Sequence, residues 1–202
     1  MSQVQAAVLA DAPTLGAMQL NAFDDGHFDD MFPQPYVVAA WENFVRPSET
    51  AEHGLESRVG VIRDESGTAK GACLLHIARD KDALAALYSP WETIWGAPLP
   101  GMNTAKLDEF FGGMTAQHKA VLGDTPHVYV EIVMTHSTAR GRGHSLTLLK
   151  WASDIADELG LPLYLNSDKD VVGLYERVGY VRQPEEVRTS KMVPMLRPAV
   201  EA

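Results

Sequence analysis

Residues 127–149 read HVYVEIVMTHSTARGRGHSLTLL, and this stretch decides the fold. His127 to Thr135 is apolar and β-rich, which predicts a strand. Arg140, Gly141, Arg142, Gly143, His144 and Ser145 follow as a glycine-containing turn. From Ser145 to Leu159 the residues Leu148, Trp151, Ala152, Ile155, Ala156 and Leu159 recur at helical spacing and form one apolar stripe. Gly160 is placed to cap that helix, with Pro162 just beyond. The first turn of a helix has backbone N–H groups without intrahelical partners. Together with the helix dipole, those donors attract an anion. Gly141 and Gly143 permit positive φ and close backbone approach, and Arg140 and Arg142 add positive charge. By itself the junction is equally a tight connection carrying two solvated arginines.

Downstream, Leu163 to Leu165 is a short strand and Val171 to Val178 a short helix. Two further strands follow, one from Tyr180 and one over Ser190 to Leu196, where Pro194 points to an edge strand. Upstream, Val4 to Leu9 reads as a first strand, and Asp11 precedes Ala12-Pro13 at a helix start. The segment DDGHFDDMFPQP (24–35) is a loop, and Tyr36 to Val45 a second helix. Arg58 to Arg63 and Gly71 to Ala78 form a hairpin around the turn Asp64-Glu65-Ser66-Gly67. Residues 86–103, rich in proline and tryptophan, form a long loop before a helix over Leu107 to Val121. This order predicts one α/β domain spanning residues 1–202, with a mixed central sheet of about six or seven strands flanked by helices.

The chain has 202 residues, is 46% hydrophobic and 22% charged, and carries a formal charge of −10. Such a chain can bury a real core. The acidic balance argues against nucleic acid as partner and weakly favours cationic substrates. The lone Cys73 excludes an intrachain disulfide and suits a reducing compartment; it reads as a small core residue. Residues 1–13 lack the basic flank and apolar run of a signal peptide. No stretch approaches the roughly 20 apolar residues of a membrane span, so no membrane partner and a cytoplasmic location are expected. The histidines show no metal-ligand spacing, and no metal is expected.

The C-terminal half resembles the GNAT superfamily of N-acetyltransferases. Its signature, Q/R-x-x-G-x-G/A after a strand, is met here by Arg140, Gly143 and Ser145, with Ser145 in place of the usual Gly or Ala. About thirty residues later, GLYERVGY (173–180) looks like the family's L-Y-x-x-x-G-F/Y element. The close resemblance covers roughly residues 127–181. It implies a GNAT-like fold whose cofactor-binding half is about 127–181 and whose acceptor-side elements are about 10–125. It implies acetyl-CoA as co-substrate. Backbone of Val133, Met134 and Thr135 would pair with the pantetheine arm. Backbone of Gly141, Arg142, Gly143, His144, Ser145 and Leu146 would hold the pyrophosphate, beside Arg140. Asp168 stands where many relatives have a cofactor-contacting Asn, with Asn166 nearby but out of register. Tyr175 would meet the leaving thiolate.

Acetyl transfer to an amine needs a neutral amine, and an alkyl amine with pKa about 10.4 is roughly one part in 10³ neutral at pH 7. A base helps remove the proton. Glu131 is the first candidate: simple alternation places His127, Tyr129, Glu131, Val133 and Thr135 on one face of the strand, opposite Val128, Val130, Ile132 and Met134. Its other reading is a structural carboxylate with a hydroxyl or arginine partner. Tyr175 is the candidate acid; as a helix aromatic it also suits a core. Tyr129 lines the acceptor pocket or packs in the core. His136 and His144 flank the loop and read as structural or solvent-exposed. Phe28, Phe32, Trp91 and Trp95 are candidate acceptor-binding residues, able to form an apolar or cation–π wall near Asp24, Asp25, Asp29 and Asp30. The alternative is a solvated acidic loop and packed tryptophans.

The leading expectation is therefore acetyl transfer to the amine of a small molecule. Peptide or protein N-acetylation, O-acetylation and a non-catalytic CoA-binding sensor are the alternatives. A homodimer is left open.

Overall fold

The computed structural model describes residues 3–22, 31–46 and 54–200. Its strands are β1 (Gln5–Ala6), β2 (Glu56–Arg63), β3 (Ala69–Ala78), β4 (His127–Thr135), β5 (Leu163–Ser167), β6 (Val181–Arg182) and β7 (Val193–Arg197). They form one seven-stranded sheet in the order β1-β2-β3-β4-β5-β7-β6. Every neighbouring pair is antiparallel except β4 and β5. The helices are α1 (Ala12–Ala22), α2 (Gln34–Val45), α3 (Lys81–Leu87), α4 (Glu92–Trp95), α5 (Thr104–Leu122), α6 (His144–Leu159) and α7 (Val172–Glu176). The expected mixed α/β sheet is thus present.

One face of the sheet is covered by α1, α2, α4 and α5, with Leu15, Trp41, Phe44, Trp95 and Leu107 packed on Ala72, Leu74, Ile132 and Met134. The other carries α6, whose Leu148, Ala152 and Ile155 lie against Cys73, Leu75, Val128 and Val130. A third cluster joins α3 and the end of α5 to Tyr129 and Tyr164. Gly60 shapes the α6 face. A Cβ there would sit 2.8 Å from Val4 Cγ1 and 2.9 Å from the Trp151 ring, so glycine lets that indole approach β2 closely.

Several elements differ from the sequence reading. The first strand shrinks to Gln5–Ala6, because a 3₁₀ turn over Leu9–Asp11 follows at once. There Asp11 accepts the Val8 N–H and forms a bidentate pair with Arg63. The 86–103 stretch is not one loop. It begins inside α3, started by Asp80 accepting from Asp82 and Ala83 backbone, and it contains α4. The strand holding Pro194 is not at the edge, since β7 lies between β5 and β6. Proline is tolerated because β6 ends opposite Met195. Pro194 falls just past that end and needs only its carbonyl, which accepts from Gln183 N–H.

Among the described residues no helix is long and apolar enough to cross a membrane. Among the same residues no cluster of three or more His, Cys, Asp or Glu side chains is arranged to hold a metal.

Candidate active site

The sheet opens at its centre. β4 and β5 pair only at Val128↔Leu163 and Tyr129↔Tyr164. Beyond Tyr129 they run on to Thr135 and Ser167 without pairing to each other. On that side β4 from Val130 onward has no strand partner among the described residues, and backbone polar groups left so are ready to bind a ligand.

A β-bulge sits at the same place. Leu74 pairs with Ile132 and the next residue, Leu75, with Val130. Glu131 is therefore the extra residue, and a bulge resets the alternation of side chains. Val128 and Val130 pack on the α6 face, but Ile132 and Met134 pack on the α1–α2 face. The uniform apolar face inferred from simple alternation does not exist. Tyr129 and Glu131 share the α1–α2 side, whereas Val133 turns to the α6 cluster. Thr135 turns there too, its hydroxyl 3.0 Å from that of Ser145.

Glu131 is nearly enclosed, with 7% of its side chain exposed. One oxygen accepts the Trp95 indole N–H at 3.2 Å, and the Tyr129 hydroxyl donates to the carboxylate. Burial pushes its pKa up to about 7, against those two hydrogen bonds, which favour the charged form. The other oxygen lies 3.9 Å from Nε2 of the buried His76. Burial drives His76 down to about 3, so its ring is neutral. Behind Tyr129 a polar chain continues. Asn166 donates to Tyr129 at 3.4 Å and accepts from Tyr164 and Gln117. Gln117 in turn accepts from Thr189 and Ser190 backbone. His127 does not face this site; its Nε2 meets that of His118 at 2.7 Å.

Tyr175 lies on the α6 face, packed against that cluster and edge-on to Tyr180 at 5.9 Å. Its phenol has no hydrogen-bond partner among the described residues. Burial raises it to about 12, helped by Cys73 and Asp168. Glu131 and Tyr175 thus lie on opposite faces of the sheet.

The loop after β4 is built as the sequence predicts. Gly141 and Gly143 have φ of 75° and 80°, values an L side chain rarely adopts. Gly143 begins α6 without any side-chain cap, which leaves the first-turn N–H groups, those of His144, Ser145 and Leu146 included, open. Arg140 and Arg142 are exposed, with no side-chain partner among the described residues. His136 is structural: its Nδ1 accepts Thr138 N–H and starts the short turn before the loop. His144 is half-buried at the first position of α6. Asp168 is exposed and accepts Asp170 N–H in a turn leading to α7. Asn166, two residues before it, faces the acceptor side instead.

Trp91 and Trp95 are buried core residues. Trp91 donates to Asp108 and stacks on Phe111; Phe32 packs on Trp95 and Phe111. Phe28 and the four aspartates of that loop lie outside the described residues. The sequence reading missed His76, Ser57 and Gln117, and weighed Asn166 only as a cofactor contact. The available signals were a histidine inside the apolar stretch Gly71 to Ile77 and the shared face of Tyr164 and Asn166.

The acetyltransferase (GNAT) family model matches residues 86–180. No curated protein matches the chain by sequence. Solved structures share its fold along nearly the whole length. One is described as histone acetyltransferase HPA2 and related acetyltransferase from Corynebacterium glutamicum. It is 22% identical with TM-score 0.60, covering 100% of this chain and 99% of that one. A phosphinothricin acetyltransferase from Sinorhizobium meliloti, in complex with AcCoA, is 16% identical with TM-score 0.59, covering 98% and 88%. An N-acetyltransferase from Staphylococcus aureus is 17% identical with TM-score 0.57, covering 96% and 98%. Residues 86–180 thus match the GNAT family of acetyltransferases, on a chain that shares the fold of these solved structures along nearly its whole length.

Proposed function

We propose that the protein transfers an acetyl group from acetyl-CoA directly to the amine of a small molecule. The observation that carries this reading is Glu131, a buried carboxylate with pKa near 7, set at the bulge where β4 parts from β5. A base with that pKa is half-ionised at neutral pH and matched to proton abstraction from an amine.

The residues present fit the cofactor. The uncapped start of α6, two glycines at positive φ and two arginines without a side-chain partner among the described residues suit a diphosphate. The unpaired stretch of β4, including backbone of Val133, Met134 and Thr135, suits an amide-bearing arm. The Sinorhizobium meliloti structure of this fold holds AcCoA. Acetyl-CoA supplies an activated thioester. Glu131 takes the proton as the amine nitrogen attacks, and Trp95 and Tyr129 hold the carboxylate oriented. Tyr175, which keeps its proton to about pH 12, donates to the departing thiolate. The packed aromatic layer of Phe32, Trp91 and Trp95 beside Glu131 favours a compact amine over an extended peptide.

The test is isothermal titration with acetyl-CoA, followed by thiol release across an amine panel. Binding with thiol release for a compact amine supports the reading. Absence of binding by acetyl-CoA and CoA overturns it, and binding without thiol release across a broad panel favours a sensor.

A further inference from the structure

His76 is a buried titratable group that the mechanism above does not use. It lies on β3 with no exposed surface, packed edge-on to Phe44 and stacked near Tyr129. Its Nδ1 is 2.9 Å from the Ser57 hydroxyl. Among the described residues its Nε2 has no hydrogen-bond partner; it lies 3.9 Å from Glu131 Oε2, about 0.7 Å beyond hydrogen-bonding range. A buried ring nitrogen left without a partner is rare and calls for an explanation. If the Ser57 hydroxyl donates to Nδ1, the ring proton must sit on Nε2, facing the carboxylate.

We propose that His76 is a positioning residue for Glu131, its tautomer set by Ser57 so that Nε2–H steadies the ionised carboxylate. This rests on Glu131 being the base. Among the described residues the groups packed on the pair are Ser57 from β2, Phe44 from α2, Trp95 from α4 and Tyr129 from β4. Of these only Tyr129 titrates, and burial pushes its phenol well above the usual range. His118 of α5, behind Tyr129, is held neutral by burial. The carboxylate is therefore the group in this cluster that changes charge near neutrality.

Removing an N–H dipole that faces the carboxylate disfavours its charged form and raises its pKa. The experiment is carboxyl-carbon NMR of glutamate-labelled protein, with the Glu131 resonance assigned from Glu131→Gln. His76→Leu is expected to raise the Glu131 midpoint by about one unit. His76→Gln, which keeps a donor, is expected to restore it. Nitrogen NMR of the unmodified protein at pH 8.5 reads the tautomer without any substitution, and Nε2–H is expected. An unchanged midpoint in folded His76→Leu, or an Nδ1–H tautomer, overturns the proposal. Failure of the base assignment shows separately, as full acetyl transfer by Glu131→Gln.

Discussion

Replacing Glu131 with glutamine is expected to make the protein more stable in base while removing its activity. The carboxyl has a folded-state pKa of about 7 against 4.5 in its ordinary environment. The folded protein therefore holds that proton more tightly than the unfolded chain. A raised carboxyl pKa means ionisation is disfavoured by folding, so the penalty is absent below pH 4.5, grows as pH rises, and is complete above about 7. A shift of this size corresponds to about 3 kcal/mol at 1.36 kcal/mol per unit. Glutamine removes the charge but can still accept the Trp95 indole N–H. Urea unfolding of both proteins at pH 5 and pH 8.5 isolates the effect, because other carboxylates are common to the two and cancel. The stability advantage of the variant should widen by 2–3 kcal/mol, to order of magnitude, between those pH values. An advantage that is equal at both would show that Glu131 is not perturbed by burial, and would remove the physical basis for reading it as the base.

Acetyl transfer should rise with pH through about 7 as Glu131 ionises; a profile flat from pH 6 to 8 would count against it. Tyr175→Phe is expected to lower turnover about a hundredfold with little change in acetyl-CoA affinity, measured by thiol release and calorimetry; equal turnover would remove Tyr175 from the acid role. Arg140→Ala and Arg142→Ala should each weaken acetyl-CoA binding about tenfold, with the loss shrinking at high salt. Gly60→Ala should destabilise the fold by about 1–3 kcal/mol, because its Cβ meets the Trp151 ring at 2.9 Å; an unchanged melting temperature would contradict that contact.

Sequence alone determined the strand–loop–helix unit over β4 and α6. Apolar runs, helical spacing and glycine punctuation are local properties, and they placed β4 at His127–Thr135 and the α6 cap at Gly160 without tertiary help. The two short motifs at their separation carried the family, and Glu131 and Tyr175 followed as candidates. What only the tertiary structure decided is how those residues face one another. The bulge at Glu131 depends on which residues of β3 pair with β4, and no pattern within β4 reports it. A period-2 reading therefore put Val133 and Thr135 on the wrong face. His76 reaches Glu131, and Asn166 reaches Tyr129, only because three strands distant in the chain lie side by side. Burial, which lifts Glu131 to about 7, is likewise a property of the packed whole: the residue type supplies a carboxyl, and the aromatic wall closing over it supplies the shift.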